Sequence, residues 1–183
     1  PYNTLFQLYA SQKYQPELIN SASDLLFMPD LIAYLLTGEK RTEFSFATTS
    51  QLYNPITQSW EKKLLDQLGV SDKIMQSIVE PGSIIGMIDE RICHQTGIKR
   101  IPVVAVATHD TNSAIAAIPS SNQRWAFISS GTWSLMGVEM SAPIINEMTY
   151  QMNFTNEGGV GHTFDVLKNH MGLWLLQQCR KCW

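Results

Sequence analysis

The stretch from Val103 to Glu139, VVAVATHDTNSAIAAIPSSNQRWAFISSGTWSLMGVE, constrains the fold more than any other part of the chain. An apolar β-branched run, Val103 to Ala107, ends in the polar cluster Thr108, His109, Asp110, Thr111 and Asn112, and the small residues from Ser113 to Ile118 predict a short helix. A second predicted strand, Arg124 to Ile128, breaks at Ser129, Ser130, Gly131 and Thr132 before a third, Trp133 to Glu139. Two polar turns therefore stand at the ends of apolar strands. In open α/β sheets such ends bind ligands, because they leave backbone N–H groups pointing into a crevice. The expected class is α/β.

The rest of the chain narrows the possible partners. With 13 basic and 16 acidic residues the formal net charge is −3, and no Lys/Arg run exceeds two residues. Binding to nucleic acid through phosphate neutralisation has little support in that balance. No apolar run approaches the ~20 residues of a membrane-spanning helix, and no basic, apolar leader opens the chain. Three cysteines do not make a disulfide framework. Cys179 and Cys182 form a C-x-x-C, but in an apolar helix-like run rather than a tight loop, so no metal cluster is assigned. A reducing cytoplasm is the expected location. The chain opens at Pro1 and closes at Trp183 inside an apolar run without a cap, and the expectation is an internal piece of something longer.

In chain order, Leu5, Leu8 and Tyr9 predict a helix over Thr4 to Tyr14, and Pro29 opens another that Gly38 closes. Glu43, Thr48, Thr49 and Gln51 read as loop and cap chemistry in preference to substrate contacts. Helices are predicted over Trp60 to Leu68, Asp72 to Val79 behind a Ser71 cap, and Glu90 to Thr96, with a short apolar segment at Ile84 to Ile88. A strand pair is predicted around Met148 to Thr155. Asn156 to Gly161 is a glycine-rich turn that lacks the spacing and lysine of a P-loop. Phe164, Leu167, Met171, Leu175 and Leu176 predict one long helix from Thr163 to Trp183, with Asn169 and Gln177 near one face. The polar link Ser120 to Gln123 is the expected domain boundary.

His109-Asp110-Thr111 and Ser129-Ser130-Gly131-Thr132-Trp133-Ser134 together resemble the catalytic-aspartate motif and the second phosphate loop of the FGGY-type carbohydrate kinases. Within that family the wording is closest to the branch that phosphorylates L-rhamnulose. Leu36-Thr37-Gly38, Ala47 to Leu52, Asn156-Glu157-Gly158-Gly159 and Leu167-Lys168-Asn169 extend the likeness over almost the whole chain, with local departures at His162 and His170. The resemblance implies a ribonuclease-H-like (actin-like ATPase) fold in parts of two domains flanking a cleft. Residues 1–120 would end a first, sugar-binding domain, and residues 121–183 would begin a second, nucleotide-binding one.

The resemblance also implies roles. Asp110 would be the general base, His109, Asp110, Thr111 and Asn169 would contact sugar, and Gly131, Thr132 and Gln177 would hold nucleotide. With ATP and Mg²⁺ the intact enzyme would phosphorylate the 1-hydroxyl of L-rhamnulose in L-rhamnose breakdown. An Asp-x-Gly-Thr-like first phosphate loop and a glycine-rich adenosine motif are not among these residues, so the piece alone is expected to be inactive. Read without the resemblance, Asp110 is a helix cap and Ser130-Gly131-Thr132 an ordinary hairpin turn. A kinase for another sugar or polyol and a non-catalytic actin-like sugar-binding module stay as alternatives. A hydrolase is disfavoured, because His109 and Asp110 are adjacent and no G-x-S-x-G elbow is present.

Overall fold

The computed structural model describes residues 3–120 and 124–183. Its contacts divide the chain into two compact units, Pro1–Thr108 and His109–Trp183. The division falls at the head of the His-Asp-Thr segment. The expected link at Ser120 to Gln123 lies for the most part outside the described residues.

The first unit runs α1 (Thr4–Tyr14), α2 (Pro16–Ser21), α3 (Met28–Thr37), β1 (Thr42–Glu43), α4 (Phe44–Thr49), β2 (Tyr53–Asn54), β3 (Ser59–Trp60), α5 (Lys62–Leu68), β4 (Ile78–Val79), β5 (Ile84–Met87), α6 (Glu90–Thr96) and β6 (Pro102–Val104). Leu8, Leu52, Leu65, Val70 and Ile74 form its core, with Leu5, Leu25 and Trp60 packed on them. Local signals explain most boundaries. Pro29 stands in the first turn of α3, and Gly38 ends it at φ 79°, a left-handed conformation that costs glycine little. Asp89 caps α6 by accepting from the Arg91 N–H.

The helix expected over Asp72 to Val79 is only a 3₁₀ turn, Asp72–Ile74, followed by β4. Helical hydrogen bonding loses there to distant donors. Leu25 N–H donates to Ile74 O at 2.8 Å, Thr42 N–H to Ser77 O at 3.0 Å and Trp60 Nε1–H to Gln76 O at 2.8 Å. Trp60, expected to open a helix, lies in β3 opposite Tyr53. The run from Val103 keeps regular pairing, with β5, only to Val104, yet Ala105 still exchanges backbone bonds with Ser83 O and Gly82 N–H.

The second unit contains α7 (Asp110–Ala116), β7 (Phe127–Ser130), β8 (Trp133–Met140), α8 (Glu147–Gln151), β9 (Thr155–Gly158), β10 (Phe164–Met171) and α9 (Trp174–Cys182). Its antiparallel sheet has the order β7-β8-β10-β9. Ile115 of α7 packs on Phe127 and Leu167 beside Trp125 and Leu135. The β6 and β7–β8 segments thus belong to different sheets.

Two expectations fail in this unit. Met148 to Thr155 begins as α8, because Asn146 and Thr149 form a reciprocal capping box. Thr163 to Trp183 is not one helix but β10 followed by α9. Phe164, Asp165, Val166 and Leu167 are buried in succession, as in a strand covered on both faces, and such a run imitates a buried helix segment in sequence. Gly172 separates the two elements. A Cβ there would stand 2.6 Å from Gly131 O. Among the described residues no helix is long and apolar enough to cross a membrane.

Candidate active site

Glu43 anchors Thr108, the last residue of the first unit. Glu43 ends β1, caps α4 and is 1% exposed. Its carboxylate accepts from Ser45 N–H at 2.7 Å, Ser45 Oγ–H at 2.5 Å, Phe46 N–H at 3.2 Å, Thr108 N–H at 2.9 Å and Thr108 Oγ–H at 2.7 Å. Glu43 N–H in turn donates to Asp30 Oδ1 at 3.2 Å. Burial pushes the Asp30 carboxyl up to about 6 against that hydrogen bond. Reading Glu43 as cap chemistry was correct but incomplete. One buried side chain both caps α4 and fixes the residue that precedes His109.

Asp110 is the first residue of α7 and is exposed, its Oδ1 accepting from Thr111 N–H at 2.7 Å. Thr111 beside it is half-buried. His109, at the cap position, is half-buried, and its Nδ1 lies 2.6 Å from Asn112 Oδ1 and 3.5 Å from Glu157 Oε2. Asn112 is 1% exposed, and its amide nitrogen donates to Gly158 O at 2.8 Å and Asp165 Oδ2 at 2.9 Å. His109, Asp110 and Thr111 are therefore presented together on one short helix start.

Beneath them runs a row of acids. Asp165 on β10 stands opposite Glu157 on β9 and Glu139 on β8. Like charges directly opposite in a sheet repel, and Asp165 is 0% exposed. Burial first, then Glu139, pushes the Asp165 carboxyl up to about 7, while the Asn112 hydrogen bond works the other way. Burial also holds Glu157 above the usual carboxylate range, opposed by His109. Glu157 Oε2 and Asp165 Oδ1 are buried without a hydrogen-bond partner. Sequence reasoning gave these acids no role, because a helix over Thr163 to Trp183 hides the register that aligns them. Among the described residues no group of three or more His, Cys, Asp or Glu side chains is arranged to hold a metal ion.

The second turn is the β7–β8 hairpin end. Ser130 pairs with Ser134 and their hydroxyls lie 2.9 Å apart. Gly131 O accepts from Leu173 N–H at 2.8 Å, and Thr132 O from Gly172 N–H at 3.2 Å and Trp174 N–H at 3.4 Å, so the turn is tied to the head of α9. Gly131, Thr132 and Gln177 are exposed. Asn169 is not on a helix with Gln177. It is an exposed residue of β10 opposite Leu135, next to the His170–Ser134 and Met171–Trp133 pairs at the hairpin end. Four residues of strand separate it from Asp165, about 13 Å. The hairpin turn, α9 and Asn169 thus gather at one end of the sheet, and His109, Asp110 and Thr111 belong to the Asp165 row. Cys179 and Cys182 are free and exposed on α9.

Residues 1–117 match the model of the FGGY family of carbohydrate kinases, N-terminal domain. Over 182 residues the chain is 47% identical to a rhamnulokinase of Bacteroides thetaiotaomicron, covering 100% of this chain and 38% of that protein. Over 178 residues it is 41% identical to a rhamnulokinase of Enterococcus faecalis, covering 97% of this chain and 35% of that one. The chain therefore spans little more than a third of the length of these relatives. In structure it resembles a xylulose kinase from Rhodospirillum rubrum, with TM-score 0.83 at 15% identity over 98% of this chain and 36% of that one. It also resembles Plasmodium falciparum glycerol kinase with ADP, with TM-score 0.78 at 13% identity over 96% and 37%. At these identities the structural likeness speaks for the fold.

Proposed function

Since the chain belongs to the FGGY family of carbohydrate kinases, we propose that it forms part of an ATP-dependent kinase that phosphorylates the 1-hydroxyl of L-rhamnulose in the cytoplasm. Asp110 is the general base, His109 and Thr111 orient the sugar, and Gly131, Thr132 and Gln177 serve the nucleotide. Asn169 goes with the nucleotide group rather than the sugar group, because its place in β10 is beside the hairpin turn.

The observation that carries this reading is the setting of Asp110. An exposed carboxylate stands in the first turn of a helix whose Asn112 side chain is bound to Gly158 O and Asp165 Oδ2. Phosphoryl transfer asks the protein mainly for positioning and electrostatics, and an accessible acid on a fixed backbone meets the first demand. Asp110 takes the proton of the attacking hydroxyl as that oxygen bonds to the γ-phosphorus and the bond from phosphorus to the β–γ bridging oxygen breaks, ADP leaving with the electron pair. On the other side, the Gly131 and Thr132 carbonyls are engaged by N–H groups, which removes acceptor oxygens from a surface that has to meet phosphate. Mg²⁺ enters with ATP, held through its phosphates and water.

The test is a coupled ATP assay of a full-length protein carrying this chain, run on a panel of ketoses and polyols. L-rhamnulose is expected to give the highest kcat/KM, and preferential turnover of another sugar refutes the substrate. In the same protein Asp110→Asn keeps size and capping ability, so kcat is expected to fall by roughly 10²–10⁴-fold with sugar affinity little changed. An unaltered kcat would leave Asp110 as a cap and nothing more.

A further inference from the structure

We infer that Asn112 and Asp165 are positioning residues that hold the His109 ring in its Nδ1–H form, so that Nε2 is the atom it offers to a substrate hydroxyl. The inference deepens the sugar-kinase reading and rests on it for the identity of the hydroxyl.

The Asn112 amide has one consistent orientation. Its nitrogen faces Gly158 O, which can only accept, and Asp165 Oδ2, so the two N–H groups of the amide are both used. Flipping the amide would set its oxygen against the Gly158 carbonyl. Asn112 Oδ1 is thereby turned to His109 Nδ1 at 2.6 Å, and a bond of that length between an amide oxygen and a ring nitrogen requires the hydrogen on the nitrogen. Glu157 Oε2 lies 3.5 Å from the same nitrogen without making a hydrogen bond to it, so Asn112 Oδ1 is the acceptor. A neutral imidazole with its proton on Nδ1 carries its lone pair on Nε2.

Asp165 matters because it holds the amide. It is wholly buried on β10, in register with Glu157 and Glu139, and its Oδ2 is one of the two acceptors that fix Asn112. Without it the amide keeps only the Gly158 contact and can rotate. Neither Asn112 nor Asp165 touches the sugar. They act through the ring.

The test uses the full-length protein labelled with ¹⁵N-histidine. Two-bond ¹H–¹⁵N spectra at pH 8, without substrate, are expected to show His109 as the Nδ1–H tautomer. An Nε2–H tautomer or an imidazolium overturns the proposal, and this measurement needs no variant to fold. Asn112→Ala is expected to mix the tautomers and raise the sugar KM about tenfold with kcat changed less than about twofold, the pattern of a lost ground-state hydrogen bond. Asp165→Ala is expected to move both readouts in the same direction by a smaller factor. In a His109→Ala background, Asn112→Ala is expected to add nothing further to KM. A full additional tenfold rise there would mean that Asn112 acts on structure alone and would overturn its role. Because the tautomer is read without sugar, a protein that turns over no ketose sinks the kinase reading, while the spectrum still decides the state of the ring.

Discussion

Glu43 and Asp165 are both buried acids, and their surroundings treat them oppositely. The Glu43 carboxylate accepts five hydrogen bonds, two of them from Thr108. Glu43→Gln keeps the shape but turns an N–H₂ group toward donors, and is expected to lower unfolding free energy by about 1–3 kcal/mol in chemical denaturation. A loss near zero would show that the clamp on Thr108 is dispensable. Asp165 instead has one oxygen without a partner, and its carboxyl is raised from 3.8 to about 7. The folded state therefore binds the proton more tightly than the unfolded chain does. Its contribution to stability is complete below about pH 4 and is lost as pH rises through about 7. Asp165→Asn should consequently gain on the parent between pH 4 and pH 8, by roughly 2–4 kcal/mol at about 1.4 kcal/mol per pH unit. Parallel pH-dependence in the two proteins, measured by thermal or urea unfolding, would contradict the burial argument.

At the level of elements, the legible parts were those with local punctuation. Thr4–Tyr14 and Glu90–Thr96 have the predicted bounds, and α3 ends at Gly38 as predicted. The polar cluster from Thr108 to Asn112 was visible as a site candidate, because its residues adjoin in sequence. Segments shaped by distant partners were not legible. β10 reads as helix until its pairing with β8 over eight residues is known, and Asp72 to Val79 loses its carbonyls to Leu25, Thr42 and Trp60. For the same reason Glu139, Glu157 and Asp165 stayed invisible as a row, and Asn169, expected on a helix, lies in β10. Gly172 offers a test of the hairpin end. An alanine Cβ there would lie 2.6 Å from Gly131 O and Trp133 C and 2.8 Å from Ser134 N, all backbone atoms. Gly172→Ala must displace the Gly131–Thr132 turn, and in the full-length protein it is expected to raise the nucleotide KM about tenfold with the sugar KM moved far less. Equal changes in both would detach this turn from the nucleotide.

On the scale of the whole molecule, the second unit leaves apolar surface open. Met136, Met148 and Met152 are about half exposed or more, and they line a cavity of about 350 Å³ with Ala126, Ile144 and Val166. Chain 1–183 expressed by itself is expected to bind an apolar dye, and Met136→Lys to weaken that fluorescence at least about twofold. No dye binding would mean that this surface is covered within the chain itself. The strand order β7-β8-β10-β9 has a different consequence, for the order of synthesis. Among the described residues β9 pairs in the sheet with β10 alone, and the Asn112–Asp165 bond joins residues 53 apart. On a ribosome the segment bearing His109 and Asp110 emerges long before the strand that supports it. During that interval Asn112 has neither Gly158 nor Asp165 to bind, and Ile115 has no Leu167 to cover it. The start of α7 is therefore among the first parts of this unit to be made and among the last to be held in place, and a nascent chain paused before residue 164 would carry the His-Asp-Thr motif without the contacts that fix it.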